Sequence, residues 1–262
     1  EYFKNTKTMA WLLRNESKVL KALLQKKIRK SFHKSVLGVF WHMLIPAVQL
    51  FIFFKVYGAI NAGTDIMASI IGLFVWLLFN NAIFPSIQEL IGSKSLIINL
   101  KVSPYLIPAS GVLMSILFTS LFLLSACAFI AIYGSNIQSG LILSIPIILL
   151  LLIFTYSIAV IVSLSNVYFR DIGMLWNSFS FLLFITAPIL YPINILPNVL
   201  SNIAIANPIT QFIIAMRTCS ENSVMTAVSG INWATLIIIT LSSATIALWI
   251  NHLAKKDIVA NL

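Results

Sequence analysis

Apolar runs long enough to cross a bilayer recur along the chain, divided by short polar breaks. A spanning helix needs about 20 mainly apolar residues. Six stretches meet that length: 36–60, 67–90, 105–133, 138–166, 172–192 and 231–253. A further apolar stretch, 193–216, is interrupted by Pro197, Asn198, Asn202, Asn207 and Pro208. Each proline removes a backbone donor and disrupts the helix before it, and the asparagines are costly against lipid. The pattern there predicts two short helices that dip into the outer leaflet and return. Broken backbone at that depth is tolerated where protein or water surrounds it. The expected fold is all-α: six transmembrane helices with a re-entrant helical hairpin between the fifth and sixth.

Ahead of the first run the periodicity changes. Met9, Leu12, Leu13, Val19, Leu20, Leu23, Leu24, Ile28 and Phe32 share one helical face, with Lys18, Lys21, Gln25, Lys26, Arg29 and Lys30 on the other. This predicts an amphipathic helix in the membrane interface, its basic face toward anionic headgroups. A helix packed on a protein partner carries the same stripe, but the span that follows at once favours the interface. These first residues lack the apolar core and cleavage site of a signal peptide, and the absence of an initiating Met at Glu1 is expected to reflect a few trimmed residues. The chain is expected to be one membrane domain over 1–262: an interfacial helix to residue 34, a bundle over 35–253 and a cytoplasmic tail over 254–262.

Composition agrees. Of 262 residues, 60% are apolar and 9% are charged, where soluble domains carry about 25% charged residues. Placement of the charge is more informative than its total of +10. Fifteen of the 17 Lys and Arg lie in the N-terminal arm, the loops after the second and fourth runs, and the tail; Lys55 and Arg217 are the other two. By the positive-inside bias both termini are cytoplasmic. Charge placed this way implies membrane lipids as partners and no nucleic acid.

Much chemistry is excluded. No Asp or Glu lies mid-span, so coupling to an ion gradient has no carrier group. Lys55 lies about 28 Å from the start of its run and can snorkel to the outer surface. No G-x-x-x-x-G-K-[ST] loop is present, since Gly92-Ser93-Lys94-Ser95 has the wrong spacing. The three histidines are scattered, and Cys127 and Cys219 are isolated thiols. The chain is expected to be a conduit, neither an enzyme nor a holder of a metal or cofactor.

Four motifs in order point to a family. They are Ser35-Val36-Leu37-Gly38-Val39-Phe40-Trp41 with Pro46; Arg170-Asp171; Ala187-Pro188-Ile189-Leu190-Tyr191; and Asn207-Pro208 with Arg217. Together they resemble the permeases of type-2 ABC exporters, especially those exporting O-antigen, capsule-like or teichoic-acid polysaccharides. One loop departs from the pattern: Lys101-Val102-Ser103-Pro104-Tyr105-Leu106 has Ser where the family tends to have Phe, and no charge after the proline. The resemblance implies a homodimer with two separate ABC ATPase subunits, which carry ATP and Mg, moving undecaprenyl-pyrophosphate-linked polysaccharide outward. Exporters of teichoic acid, drugs or lipids, and a passive channel or structural subunit, are the alternatives.

Three sets of residues are expected to do this work. Arg29, Lys30 and Lys34, beside the Leu37-Gly38 turn, would meet the lipid pyrophosphate, although general anionic-lipid binding explains the same lysines. Trp41, His42, Gln49, Asn81, Phe84, Gln88 and Trp176 would line a channel, because rings stack on sugars and amides facing lipid are costly. Lys94, Asn99 and Lys101, with Arg170 and Asp171, are the candidates for ATPase coupling. The alternative for these charges is that they only set orientation.

Overall fold

The most continuously apolar stretches form the centre of the molecule. The computed structural model describes residues 6–32, 38–59, 66–100, 102–133, 139–191, 193, 196–221 and 224–261, and every regular element among them is helical. α1 (Thr6–Phe32) precedes α2 (Gly38–Ala59), α3 (Ile66–Gly92), a short α4 (Lys94–Leu100) and α5 (Leu106–Tyr133). A 3-10 turn at Ser139–Leu143 leads into α6 (Ser144–Tyr168) and α7 (Ile172–Thr186). Then come α8 (Asn198–Ala206), α9 (Pro208–Glu221), α10 (Val224–Gly230) and α11 (Trp233–Asn261).

Among the described residues, four helices are each long and apolar enough to cross a membrane: α3, α5, α6 and α11. They coincide with the second, third, fourth and sixth apolar runs. α8 and α9 together pass the same test but meet at 93°, at the Asn207-Pro208 break that the sequence marks. The fifth run, expected to reach 192, ends as helix at Thr186. Ala187 is already extended there (φ −75°, ψ 136°), as a residue before proline tends to be. At 15 residues α7 is about 22 Å long, short of a hydrocarbon core of about 30 Å. α4 and α10 lie in segments read from sequence only as loops.

α3 is the hub, packed on α5, α6, α7 and α9. Leu73, Val75, Phe79, Ile83 and Ile87 are fully buried along it. In lipid, helices gain little from the hydrophobic effect on meeting, so close packing through small residues decides the contact. The α3–α5 seam follows this rule. A Cβ on Gly111 would lie 2.3 Å from Ser86 Oγ and 3.0 Å from the Ala82 carbonyl oxygen. Hydroxyls in the seam donate within their own helices, Ser86 to Ala82, Ser110 to Ile107 and Ser115 to Val112. α11 packs on α6 and leaves most of its apolar surface open, a periphery suited to lipid. On α2, Lys55 is exposed, its Nζ 5.8 Å from the Phe51 ring centroid.

α1 keeps the predicted stripe wherever its side chains are described. Val19, Leu20, Leu23, Leu24 and Ile28 are half-buried, while Lys18, Lys21, Gln25, Lys26, Arg29 and Lys30 are exposed. The apolar face meets α5 and α2 of the same chain. Here the stripe serves an internal contact. Leu23 reaches a second apolar cluster, where Leu90 of α3, Ile97 of α4, Ile107 of α5 and Leu164 of α6 converge.

Candidate functional site

The two ends of α3 carry the polar architecture. At its C-terminal end, Lys27 of α1 forms an ion pair with Glu89, the side chains 11% and 28% exposed. Burial pulls the Lys27 ammonium below its ordinary pKa, and the Glu89 carboxylate opposes that shift. Eleven residues earlier on α1, Glu16 accepts from the Tyr105 hydroxyl and from Ser103 Oγ (3.4 Å). Ser103 and Tyr105 are the positions at which this chain departs from the exporter loop pattern. Eleven residues make almost whole turns of a helix, so Glu16 and Lys27 share one face.

Clefts of about 170 and 260 Å³ flank the ion pair. Lys26, Gln88, Ser93 and Ser110 line the first, and Asn81, Pro85 and Ser31 the second. Lys27, Lys30 and Glu89 border both. Pro85 inside α3 denies the Asn81 carbonyl its helical donor. Lysines, amides and hydroxyls so arranged can attract and hydrogen-bond an anionic headgroup. Among the described residues no group of three His, Cys, Asp or Glu could hold a metal.

The structure thus brings together three residues that the sequence assigned to two roles: Lys30, Asn81 and Gln88. Arg29 lies on the exposed face of α1. Gly38 opens α2; Lys34, Leu37 and the His42 side chain lie outside the described residues. Trp41 and Phe84 are exposed rings, and Gln49 is half-buried. Trp176 is buried against Phe79, 6.2 Å away between ring centroids, and lies 5.9 Å from the exposed ring of Phe179. Its buried Nε1 has no hydrogen-bond partner among the described residues.

Lys94 and Asn99 are exposed on α4, which Ile97 anchors in the second cluster; Lys101 lies outside the described residues. Arg170 and Asp171 are exposed at the α6–α7 turn. That turn is held by Asn166, buried, whose Oδ1 accepts from the Gly173 N–H at 2.8 Å.

At the other end of α3 the motif residues interlock. Arg217 donates to the Ala68 carbonyl from Nε (3.1 Å) and Nη2 (3.0 Å), and to the Ile189 carbonyl at 3.0 Å. A longer bond of 3.5 Å reaches the Tyr191 carbonyl. Asn207 donates to the Leu183 carbonyl (2.9 Å) and to Thr186 Oγ1 (3.0 Å), while its Oδ1 accepts from the Ile209 N–H. One amide therefore joins the end of α7 to the start of α9. Gly72 admits the Ile189 carbonyl so closely that a Cβ would stand 2.2 Å from its oxygen.

Sequence reasoning assigned no site role to Glu16, Lys27, Glu89 or Tyr105, and used Asn207 and Arg217 only as motif markers. A signal for the first pair was present: Glu16 and Lys27 fall on the face of α1 that is otherwise apolar.

Comparison with known proteins agrees with these motifs. Residues 18–219 match the family described as ABC-2 type transporter. An O-antigen export system permease protein RfbA of Klebsiella pneumoniae is 28% identical over 211 residues, 79% of this chain and 82% of that one. A second protein of that name from Klebsiella pneumoniae is 26% identical over the same shares. One from Myxococcus xanthus is 22% identical over 179 residues, 67% of this chain and 69% of that one.

Proposed function

Because the chain belongs to the ABC-2 type transporter family, as a membrane permease subunit, we propose that it exports undecaprenyl-pyrophosphate-linked polysaccharide of the O-antigen kind, driven by ATP. The observation that carries this reading is the similarity to O-antigen export permeases over four fifths of the chain. ATP would be hydrolysed by partner ABC subunits, two to a permease homodimer, since this sequence holds no phosphate-binding loop.

In this reading α2, α3, α5, α6 and α11 are spans, α7 completes a sixth together with the 187–191 segment that follows it, α8 and α9 are re-entrant from the outer side, and both termini are cytoplasmic in the inner membrane. Charge asymmetry supports the orientation, since 15 of the 17 Lys and Arg fall on one side. The 93° bend at the Asn207-Pro208 break supports the hairpin. The exposed Lys26 and Lys30 of α1 beside the clefts support headgroup attraction there, and Arg29, Lys30 and Lys34 are the basic residues nearest the first span in sequence. Exposed Trp41, Phe84 and Gln88 supply rings and an amide for a sugar-lined path between two protomers. α4, exposing Lys94 and Asn99, is the docking piece for the ATPase, and the exposed Arg170-Asp171 turn is a second candidate contact.

Purifying the chain with its ATPase from native membranes and identifying the bound lipid by mass spectrometry tests the reading. The expected ligand is an undecaprenyl-pyrophosphate glycan. A polyol-phosphate polymer, a drug or an unglycosylated lipid as the only bound species would overturn it.

A further inference from the structure

At the Ala68 end of α3, a cavity of about 280 Å³ lies between α3, α5, α6 and α9. Met67 and Ile71 of α3, Ala126 and Cys127 of α5, Ile148 of α6 and Met216 of α9 are among its walls. Of the whole lining only Ser144 brings a hydroxyl and Cys127 a thiol; the other side chains are hydrocarbon or thioether. Leu123 and Cys127 are its exposed members, and they mark the mouth. Along α3 the lining runs from Met67, the first residue of the membrane-length stretch, to Phe74. That is about 10 Å of helix, or roughly two thirds of one leaflet's half of a 30 Å hydrocarbon core.

We propose that this cavity binds one acyl chain of a membrane phospholipid, in the leaflet opposite the α1 lysines, and that the chain braces the interlocked end of α3. Water is a poor occupant. A buried water needs two to four polar partners, and an apolar cavity of about 150 Å³ stays dry. One hydroxyl and a weakly bonding thiol do not meet that need. Emptiness is also unfavourable, because walls without neighbours forfeit their dispersion contacts. Nor does a second protein surface fit. A stable interface engages about 20–30 residues a side, whereas this lining has eleven residues, five of them buried. What remains at that depth is lipid hydrocarbon, and an acyl chain is a narrow, flexible form of it. Leu124, Ile145 and Leu149, each next in sequence to a lining residue, are exposed apolar side chains that continue the surface for lipid.

The bracing role follows from what the walls adjoin. Met67 precedes Ala68, whose carbonyl accepts two bonds from Arg217. Ile71 precedes Gly72, which admits the Ile189 carbonyl, and Met216 precedes Arg217 itself. Three walls of the cavity are thus one peptide unit from the contacts that hold α3 to α9 and to the 187–191 segment. A filled cavity holds Met67, Ile71 and Met216 in place and limits the play of those contacts. Stripping the lipid should loosen them.

The test uses the full-length permease, purified in detergent and delipidated. The probe is phosphatidylethanolamine with a photoreactive diazirine in its acyl chain. After illumination, adducts should concentrate in the peptides around Cys127 and Ile148, and the probe should raise the thermal midpoint. Cys127→Phe, which puts a ring into the mouth, should cut those adducts severalfold and shrink the lipid's effect on the midpoint. Leu124→Phe, at an exposed neighbour outside the lining, should change neither. Adducts spread evenly over every lipid-facing helix, α11 included, overturn the site, as do adducts that Cys127→Phe leaves unchanged. Displacement of the probe by undecaprenyl phosphate, but not by unlabelled phosphatidylethanolamine, assigns the cavity to a polyprenyl chain and overturns the phospholipid. A thermal midpoint unmoved by the bound probe overturns the brace. Should Cys127→Phe not accumulate, a hexyl chain joined by a disulfide to Cys127 of the folded, unsubstituted protein carries the test, since Cys219 is buried. The adducts should then fall as in the variant, and unchanged adducts overturn the site.

Discussion

The two ends of α3, about 32 Å apart from Ala68 to Glu89, are fastened by different chemistry. At the Ala68 end the acceptors of Arg217 at Ala68, Ile189 and Tyr191, and one of the two acceptors of the Asn207 amide, are backbone carbonyls. Arg217 reaches two segments far apart in sequence, at Ala68 and at Ile189, and Asn207 bridges α7 to α9. No side-chain rotation on the acceptor side can release such bonds. At the Glu89 end both partners are side chains, Lys27 with Glu89 and Tyr105 with Glu16. Either can let go by a change of rotamer, and one partner in each pair rides on α1. The first end is built as a frame, and the second as a joint. Under the proposed function, with an ATPase acting from the side of the basic loops, motion would enter where the contacts can exchange and the far end would keep its register.

Breaking the frame should produce the largest effect. Arg217→Ala removes the side-chain donor from the Ala68, Ile189 and Tyr191 carbonyls, at a cost of several kcal/mol. The purified protein should lose its sharp thermal transition in detergent, with Arg217→Lys recovering part of it, because a single ammonium cannot fork between two segments. Gly72→Ala comes next. Its Cβ meets a backbone oxygen at 2.2 Å, which cannot rotate away, so α3 or the 187–191 segment must shift at roughly 1–3 kcal/mol. The same thermal assay should show a lower midpoint with a cooperative transition retained. Asn207→Ala should be milder, roughly 1–2 kcal/mol for the lost bonds, and should loosen the α8–α9 bend before it unfolds the bundle. Cysteine accessibility beside residue 207 reads that loosening directly. In all three variants the ratio of export to ATP hydrolysis should survive better than the yield of folded protein.

Much of this asymmetry was out of reach of the sequence, for identifiable reasons. The long helices were legible because bilayer thickness dictates the length of an apolar run, and α3, α5, α6 and α11 fall where such runs lie. The α8–α9 break was legible because Pro208 and Asn207 are poorly suited to continuous helix in lipid. α4 was not: seven residues give too little periodicity to separate a helix from a loop, and its anchor Ile97 is recognisable only beside Leu90, Ile107 and Leu23. The amphipathic stripe of α1 was read correctly as a stripe, but its partner could be lipid or protein, and periodicity does not tell them apart. Lys27 and Glu89 stand 62 positions apart, and Arg217 and Ala68 stand 149 apart. Such pairs become visible only when the helices are placed side by side. Four channel candidates, Asn81, Phe84, Gln88 and Trp176, show both sides of this: three line or edge the open face of α3, while Trp176 is buried against Phe79.

The frame-and-joint account is tested most directly by hydrogen exchange on the reconstituted complex, comparing the nucleotide-free state with one trapped by a non-hydrolysable ATP analogue. Amides of α1 over residues 16–31, and of α4, should change protection on nucleotide binding, while those over 187–191 and 207–217 should not. Changes concentrated at 187–217, with α1 and α4 unaltered, would contradict it.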